Sequence, residues 1–513
     1  MPDKGMSDGN EISNHYRPKN LGQKAAEGIV WSYFSYAIIL VSQTVGLVVL
    51  ARLLTPEDFG VFAIAVMFVE VGRSAFGMGL GPSLVQREGN IDDFIDVAWT
   101  SNFLVSTVVT FILFICVPFV VDRFFEAPNA IWPAWVLLTV VIMDGSRNPQ
   151  NLILIRTLDM RRHFWLTIPA TVSRFIGSII FALFAPSVWA LVFGYWLWHF
   201  LQLIASYLIM PGRPRFVWDK RKFREMYSFG GWLQLKNVLR WLSRNLDSVI
   251  VGNVLGTTQL GFYNRAITLA KLPQQQLTSV VDLIAFPMFA TIQNKRAEKI
   301  QQAVKYNFDI SCLTLFPLIL ALLFFGNILV VLLLGETWAY MTVAFQFLFV
   351  AVSIEALTQS FFPLLRGLGF SKHEFVLHVL KLIVLLAILF PMTKRWGIEG
   401  SALSIVIASL SSMPFVLYRV KKLAQIRVAD WLYTLLICSI GLALIWPIVI
   451  LSRHWFVTDV IFLLIMLPAS WLFYIVFLGM SHYYLNGIGP FGSLVYALNK
   501  LRPKSSSVET PSI

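Results

Sequence analysis

The sequence is poor in charge. Only 13% of its 513 residues are charged and 57% are hydrophobic, whereas a soluble globular protein carries about 25% charged residues. A soluble core cannot bury that much apolar surface. Apolar runs of about 20 residues recur from Gly28 to Met480, and each is long enough to cross a hydrocarbon layer of about 30 Å as a helix. The sequence therefore predicts an all-α integral membrane protein.

The sequence also lacks the period-two alternation of barrel strands, because segments such as 313–334 are apolar on every face. Cysteine is scarce: Cys116, Cys312 and Cys438 lie in predicted helices without pairing or metal-ligand spacing. We therefore predict neither an outer-membrane barrel, nor a disulfide framework, nor a bound metal.

Catalytic and nucleotide-binding motifs are missing as well. The chain has no Gly-rich phosphate loop of the Walker type, no HExxH and no GxSxG. Its seven histidines are scattered, and we interpret them as structural. No catalytic residue and no bound cofactor is predicted, apart from a coupling proton or sodium ion.

Fourteen helices are predicted, near 28–51, 58–80, 97–121, 131–151, 165–185, 188–210, 228–251, 260–290, 306–333, 338–365, 375–393, 397–418, 431–451 and 457–480. The net charge of +13 could indicate nucleic acid, but most Lys and Arg lie in the two tails and in the loops after even-numbered helices. The other loops hold only Arg52, Arg123, Lys394, Arg395 and Arg453. By the positive-inside rule, both termini are cytoplasmic.

The basic segment 211–227 separates two groups of six helices. We predict a cytoplasmic tail (1–27), an N-lobe (28–210), a basic inter-lobe loop (211–227), a C-lobe (228–420), two further helices (421–480) and a basic cytoplasmic tail (481–513). An internal repeat supports the two lobes: at an offset of 201, Leu54, Gly60 and Ala65 match Leu255, Gly261 and Ala266. Parallel repeats of this kind build many secondary transporters.

Ionisable residues inside the predicted helices are the candidate functional groups, because each costs about 2.5 to 3.5 kcal/mol at the bilayer centre. Bases outnumber acids, which favours an anionic cargo, and arginine can bind a phosphate through two hydrogen bonds. Lys236, Arg240 and Arg244 share one helix face, and three acid–base pairs are spaced i to i+3. The candidate cargo-binding cations are Arg73, Arg147, Arg174, Lys236, Arg240, Arg244 and Arg265. The candidate ion-coupling acids are Glu70, Asp144, Asp247, Asp282 and Glu355.

The segments LARLLTPEDFGVFAIA (50–65) and GMGLGPSLVQRE (77–88) resemble the polysaccharide transporter branch of the multidrug/oligosaccharidyl-lipid/polysaccharide flippase superfamily, and most closely exporters of the Wzx type. That resemblance implies a two-lobed flippase with a central cationic cavity. It also implies a polyprenyl-diphosphate-linked oligosaccharide as cargo, membrane lipids and polysaccharide-assembly proteins as partners, and transfer to the periplasmic leaflet by alternating access. It supplies no short motif that assigns site residues.

Three alternatives remain open. A multidrug or cation antiporter shares the architecture, but its site would be dominated by carboxylates. A membrane-bound glycan polymerase or transferase would require a catalytic cluster on an extended periplasmic loop, and all of the predicted periplasmic loops are short. A scaffold protein for glycan assembly is the third alternative, but that role does not require charged residues within the helices.

Overall fold

The computed structural model describes residues 21–484, except 77–91, 152–153, 155–156, 158, 211, 293–296, 368–370, 425–427, 453–455 and 457. All of the regular secondary structure in these ranges is helical. The described chain divides into two compact units between Asn264 and Arg265.

The first unit contains six helices and the first part of a seventh. They are α1 (Leu21–Leu53), α2 (Pro56–Phe76), α3 (Asp92–Arg123), α4 (Ile131–Gly145), α5 (Met160–Phe184), α6 (Val188–Ile209) and the beginning of α7 (Lys220–Ile292). A short 3-10 turn, Pro128–Ala130, precedes α4. Helix α5 packs on both α1 and α6, while α4 packs on α2, α3 and α6. This arrangement brings four helices, α2, α4, α5 and α6, around one small polar region.

The second unit contains the remainder of α7 and six further helices. They are α8 (Ala297–Leu334), α9 (Thr342–Gln359), α10 (Phe362–Gly367), α11 (Ser371–Ala424), α12 (Val428–Ser452) and α13 (Asp459–Tyr484). Its apolar core lies where α8, α12 and α13 meet and includes the fully buried Phe308, Trp431 and Tyr474. The two units therefore each have helices and buried residues of their own.

Ten helices of the described chain are long and apolar enough to cross a membrane. The predicted all-α membrane fold is confirmed. The count of fourteen stays a prediction, because α2 and α7 are not among these ten. Helix α11 is one of them, although it is bent.

Three predicted boundaries were wrong. Helix α4 ends at Gly145 and not at 151, so Arg147 lies beyond the helix. Helix α7 begins at Lys220, so the predicted inter-lobe loop 211–227 includes its first two turns. The predicted helix 338–365 is a 3-10 turn, Glu336–Met341, followed by the separate helices α9 and α10.

Two glycines bend the longest helices. Gly256 in α7 has φ +81° and Gly397 in α11 has φ +62°, which is the left-handed region that residues with a Cβ rarely adopt. Because the backbone at each glycine is not helical, α7 and α11 each consist of two helices separated by a kink. The first kink lies within the predicted turn 252–259, and the second lies directly after the predicted turn 394–396.

The repeated turns pack directly on each other. A Cβ added to Gly60 would lie 1.8 Å from the carbonyl oxygen of Thr257, and one added to Gly261 would lie 1.7 Å from the carbonyl oxygen of Pro56. Pro56 and Thr257 are related by the same offset of 201 residues as the two glycines. The contact is thus reciprocal, with each turn presenting a glycine to the backbone of the other.

Candidate functional site

A carboxylate in the first unit, Asp144, holds basic groups from several helices. Asp144 lies in the last turn of α4, and its side chain is 6% exposed. Its Oδ2 lies 2.6 Å from Nε of Arg73 on α2, and its Oδ1 lies 2.6 Å from Nη2 of Arg147. We refer to these residues with their neighbours on α5 and α6 as the Asp144 cluster: Arg73, Asp144, Arg147, Arg174, Tyr195, Trp198 and His199.

Helix α6 contributes the uncharged polar groups of the Asp144 cluster. The His199 side chain is fully buried, and its Nδ1 lies 2.8 Å from both Asp144 Oδ1 and Arg147 Nη2. The Tyr195 hydroxyl accepts a hydrogen bond from Arg73 Nη1 at 3.4 Å. Tyr195 and His199 are four residues apart on α6, so they share the helix face that looks toward Asp144.

Arg174 on α5 is held by aromatic rings. Its guanidinium carbon lies 5.1 Å from the ring centroids of Tyr195 and Trp198, and 5.4 Å from that of Phe175. A cation over an aromatic face is attracted by the ring quadrupole. No carboxylate of the described residues lies within 4.0 Å of Arg174, so this guanidinium is not neutralised by an ion pair.

Close helix packing places Arg174 over these rings. A Cβ added to Gly194 of α6 would lie 1.9 Å from Ser178 Oγ and 2.3 Å from the Arg174 carbonyl oxygen. Only glycine permits α5 and α6 to approach this closely. The approach sets Arg174 beside Tyr195 and Trp198, which follow Gly194 in α6 by one and four residues.

The charge of the Asp144 cluster is positive. The cluster has three guanidinium groups, from Arg73, Arg147 and Arg174, and one carboxylate, which leaves an excess of two positive charges with His199 neutral. Side chains of Arg73 and Arg147 are 33% and 21% exposed. The cluster is therefore partly accessible, and its chemistry suits an anion that accepts hydrogen bonds from several directions.

The structure brings together three of the seven predicted cargo-binding cations: Arg73, Arg147 and Arg174. The side chains of Lys236 and Arg240 lie outside the described residues. Arg244 is exposed on α7, and Arg265 is the first residue of the second unit. The predicted cation face of α7 thus remains a prediction.

The candidate ion-coupling acids have separate environments. Asp144 lies at the centre of its cluster, and Glu70 accepts a hydrogen bond from Trp241 Nε1 at 2.9 Å. Asp247 is 3% exposed and accepts a hydrogen bond from the Tyr263 hydroxyl at 2.8 Å. Glu355 in the second unit forms an ion pair with Lys381. The Asp282 side chain lies outside the described residues.

Of the three pairs predicted from i to i+3 spacing, Asp144 with Arg147 is an ion pair in the structure. Arg73 forms its ion pair with Asp144 on another helix instead of with Glu70 in its own. In the third pair, Arg244 with Asp247, the carboxylate accepts a hydrogen bond from the Tyr263 hydroxyl. Local spacing thus predicted the ion pair of Asp144 with Arg147, whereas tertiary packing pairs Arg73 with Asp144.

Two kinds of polar residue in these sites were not predicted. His199 was interpreted as structural, and Tyr195 and Trp198 were not among the candidates, although their three- and four-residue spacing on α6 could have predicted a shared face. Asp309 in α8 was not among the predicted acids, yet it is fully buried and accepts a hydrogen bond from the Thr434 hydroxyl at 2.9 Å.

Comparison with known proteins first defines the class of this fold. The chain superposes on the lipid II flippase MurJ in its inward closed conformation with a TM-score of 0.70, covering 90% of this chain and 99% of that one at 13% sequence identity. The chain therefore has the fold of a multi-helix membrane flippase.

The family follows from the sequence itself. The chain belongs to the polysaccharide biosynthesis protein family, whose model matches residues 49–343. It is 23% identical over 341 residues to the succinoglycan biosynthesis transport protein ExoT of Rhizobium meliloti, covering 66% of this chain and 68% of that protein. It is 23% identical over 321 residues to the lipopolysaccharide biosynthesis protein WzxC of Escherichia coli, covering 62% of this chain and 65% of that protein. These findings confirm the resemblance predicted from residues 50–88.

Proposed function

We propose that this protein flips or exports a polyprenyl-diphosphate-linked oligosaccharide, a polysaccharide or lipopolysaccharide precursor, from the cytoplasmic to the periplasmic leaflet by alternating access. Family membership and the relatives named as polysaccharide transport and biosynthesis proteins support this proposal. The single observation that carries it is the Asp144 cluster, where three guanidinium groups lie together with only one carboxylate. A diphosphate diester has two negative charges, which equal this excess.

The charge of the cluster disfavours the rival transporter. A site for cationic drugs needs carboxylates in excess, because a buried cation is stable only beside opposite charge. The Asp144 cluster has the opposite balance. The distribution of Lys and Arg among the loops further supports a bacterial inner-membrane location with both termini cytoplasmic.

The proposed role is transport without bond making or breaking. A membrane-bound glycan polymerase or transferase would return a chemically altered lipid. The cargo recovered after transport should therefore have the mass of the cargo supplied. Lipids and polysaccharide-assembly proteins are the proposed partners, and the proposed coupling ion is a proton or sodium ion.

Arg174 offers the clearest test, because its removal leaves no carboxylate without a partner. We expect Arg174→Gln, in vesicles containing a fluorescent short-chain polyprenyl diphosphate sugar, to slow transfer to the far leaflet at least tenfold. A loss of one charge-assisted phosphate contact of about 1.5 kcal/mol or more has this effect. The measurement is quenching of the fluorophore from outside.

The matched control is Arg162→Gln. Arg162 is on the same helix, but its side chain is 62% exposed and pairs with Asp159. Transfer by this variant should equal that of the unmodified protein. If Arg174→Gln transfers the probe as fast as the unmodified protein does, the Asp144 cluster is not part of the cargo site. If the unmodified protein transfers the probe no faster than protein-free vesicles do, the proposed function is overturned.

A further inference from the structure

His199 lies within the Asp144 cluster and makes two contacts that compete for one ring nitrogen. Its Nδ1 is 2.8 Å from Asp144 Oδ1 and 2.8 Å from Arg147 Nη2. An arginine nitrogen can only donate a hydrogen bond, and an ionised carboxylate can only accept one. Nδ1 therefore either donates its hydrogen to Asp144 or accepts one from Arg147, but not both.

The distances favour a hydrogen on Nδ1. Arg147 Nη2 already lies 2.6 Å from Asp144 Oδ1, so this donor has an acceptor. A lone pair on Nδ1 would instead face the negatively charged Asp144 oxygen at 2.8 Å, which is repulsive. We therefore place the hydrogen on Nδ1 of the neutral ring, so that the lone pair is on Nε2.

Nε2 is buried and has no hydrogen-bond partner among the described residues. Buried polar atoms without a protein partner are rare, and they commonly bind a water, an ion or a ligand. Two further buried nitrogens of the same cluster, Arg147 Nε and Trp198 Nε1, also lack a partner in the described part of the chain. The cluster thus has hydrogen-bonding capacity that no described residue uses.

The charged groups around His199 oppose each other. The negative charge of Asp144 favours a protonated ring, while the positive charges of Arg73 and Arg147 oppose it. Elsewhere in the cluster, Arg174 lies over Tyr195 on α6, and Glu70 on α2 accepts a hydrogen bond from Trp241. Protonation would also create a buried Nε2–H without an acceptor. A bound anionic oxygen would supply both the acceptor and the opposing charge.

We propose that His199 takes up one proton from solvent when the diphosphate cargo binds, and that its Nε2–H then donates a hydrogen bond to a cargo oxygen. This inference rests on the proposed function, since it assigns the cargo's diphosphate to the Asp144 cluster. No bond of the cargo breaks: the Nε2 lone pair binds the proton and is released from it when the cargo leaves. By linkage, cargo binding and proton binding strengthen each other to the same extent.

The test is calorimetric titration of the full-length protein in lipid nanodiscs. The probe is a short-chain polyprenyl diphosphate esterified with one sugar, because such a diester is fully ionised near neutral pH and takes up no proton itself. Titrations in buffers of different ionisation enthalpy give the number of protons bound. We expect uptake approaching one proton, and affinity that falls by up to tenfold per pH unit as the pH rises.

The decisive variant is His199→Asn. Its amide nitrogen can replace Nδ1 as the donor to Asp144, but the variant has no counterpart of Nε2. We expect it to bind the probe without proton uptake and with little dependence on pH. His163→Asn, at the start of α5, is the matched control and should behave as the unmodified protein does.

Each outcome has a separate meaning. Binding by the unmodified protein without proton uptake, or unchanged uptake in His199→Asn, would overturn the role of His199 while leaving the proposed function intact. Failure of the unmodified protein to bind the probe at any pH would overturn the proposed function itself. If His199→Asn fails to insert, nitrogen-15 NMR of labelled histidine in the unmodified protein replaces it. The His199 Nε2 signal should change from an unprotonated to a protonated nitrogen on probe binding, and an unchanged signal contradicts the proposal.

Discussion

The residues of the Asp144 cluster stabilise one another as a group. Asp144 bonds with Arg73 and Arg147 through different oxygens, and His199 shares one of those oxygens. Removing one partner of a buried ion pair leaves an uncompensated charge, which costs more than the pair itself contributes. Asp144 is the member on which the others depend, because it is the carboxylate that both arginines share.

We expect Asp144→Asn to destabilise the protein substantially. Loss of a buried partner costs about 3 to 5 kcal/mol, and the lower end applies here because the Arg73 side chain is one-third exposed. The measurement is the thermal unfolding midpoint of the purified protein in detergent. In the double variant Asp144→Asn with Arg147→Gln, one stranded charge is gone, so its midpoint should lie above that of the single variant.

Asp159→Asn provides the control for an exposed pair. Asp159 is 3.5 Å from Arg162, and both side chains are substantially exposed. Such surface pairs contribute about 0 to 1 kcal/mol. We expect Asp159→Asn to lower the unfolding midpoint much less than Asp144→Asn does. If the two variants lower the midpoint equally little, the cluster does not stabilise the fold.

At the scale of helices, glycine determines where backbones approach closely. Gly194 permits the contact of α6 with α5 that sets Arg174 over its aromatic rings. Gly60 and Gly261 permit the reciprocal contact of the α1–α2 turn with the α7 bend. In each case the neighbouring atoms include backbone, which cannot move aside as a flexible side chain can.

We expect Gly60→Ala and Gly261→Ala each to destabilise the protein by about 1 to 3 kcal/mol, the cost of overpacking a close contact. The added methyl groups would lie 1.8 Å and 1.7 Å from carbonyl oxygens, so the two turns must separate. Thermal unfolding in detergent measures the effect. Because both substitutions disrupt one contact, the double variant should be less destabilised than the sum of the two.

Gly326→Ala in α8 is the matched control. The nearest atom to its added Cβ would be 3.4 Å away, on the flexible Gln346 side chain. Alanine in a helix interior is favoured over glycine by about 0.5 to 1 kcal/mol. This variant should be as stable as the unmodified protein or more so, and equal stability of all three variants would show that the reciprocal contact is loose.

At the scale of the whole molecule, each compact unit has charged residues within its own helices. The first contains the Asp144 cluster, and the second contains the ion pair of Glu355 with Lys381, together with the buried Asp309. Charges inside membrane helices are tolerated where protein groups or water solvate them. The multi-pass membrane fold is therefore compatible with charged side chains inside both units.

The orientation of the chain can be tested directly. We expect reporter fusions placed after Lys222 and after Lys504 both to report the cytoplasm, because Lys and Arg are concentrated in those segments. Enzymatic reporters that are active on opposite sides of the membrane provide the measurement. A fusion after Arg123, in a predicted periplasmic loop, is the control. A periplasmic signal from either basic segment would contradict the predicted topology.

The sequence by itself determined the class of protein. Long apolar runs require membrane helices because a helix satisfies its own backbone hydrogen bonds in lipid, and the segments at 50–88 identified the family. The sequence also predicted a set of candidate cargo-binding cations, which includes the three arginines of the Asp144 cluster. These properties depend on composition and local spacing, which a single sequence contains in full.

Only the tertiary structure decided how those residues are arranged. Arg73 pairs with an acid 71 positions away instead of Glu70 in its own helix, and His199 shares that acid from a third helix. Gly60 and Gly261 are aligned by the repeat, but their contact appears only when the two turns pack together. Partners of this kind depend on which helix faces meet, and these faces are chosen by the packing of the whole chain and not by the spacing within any one helix.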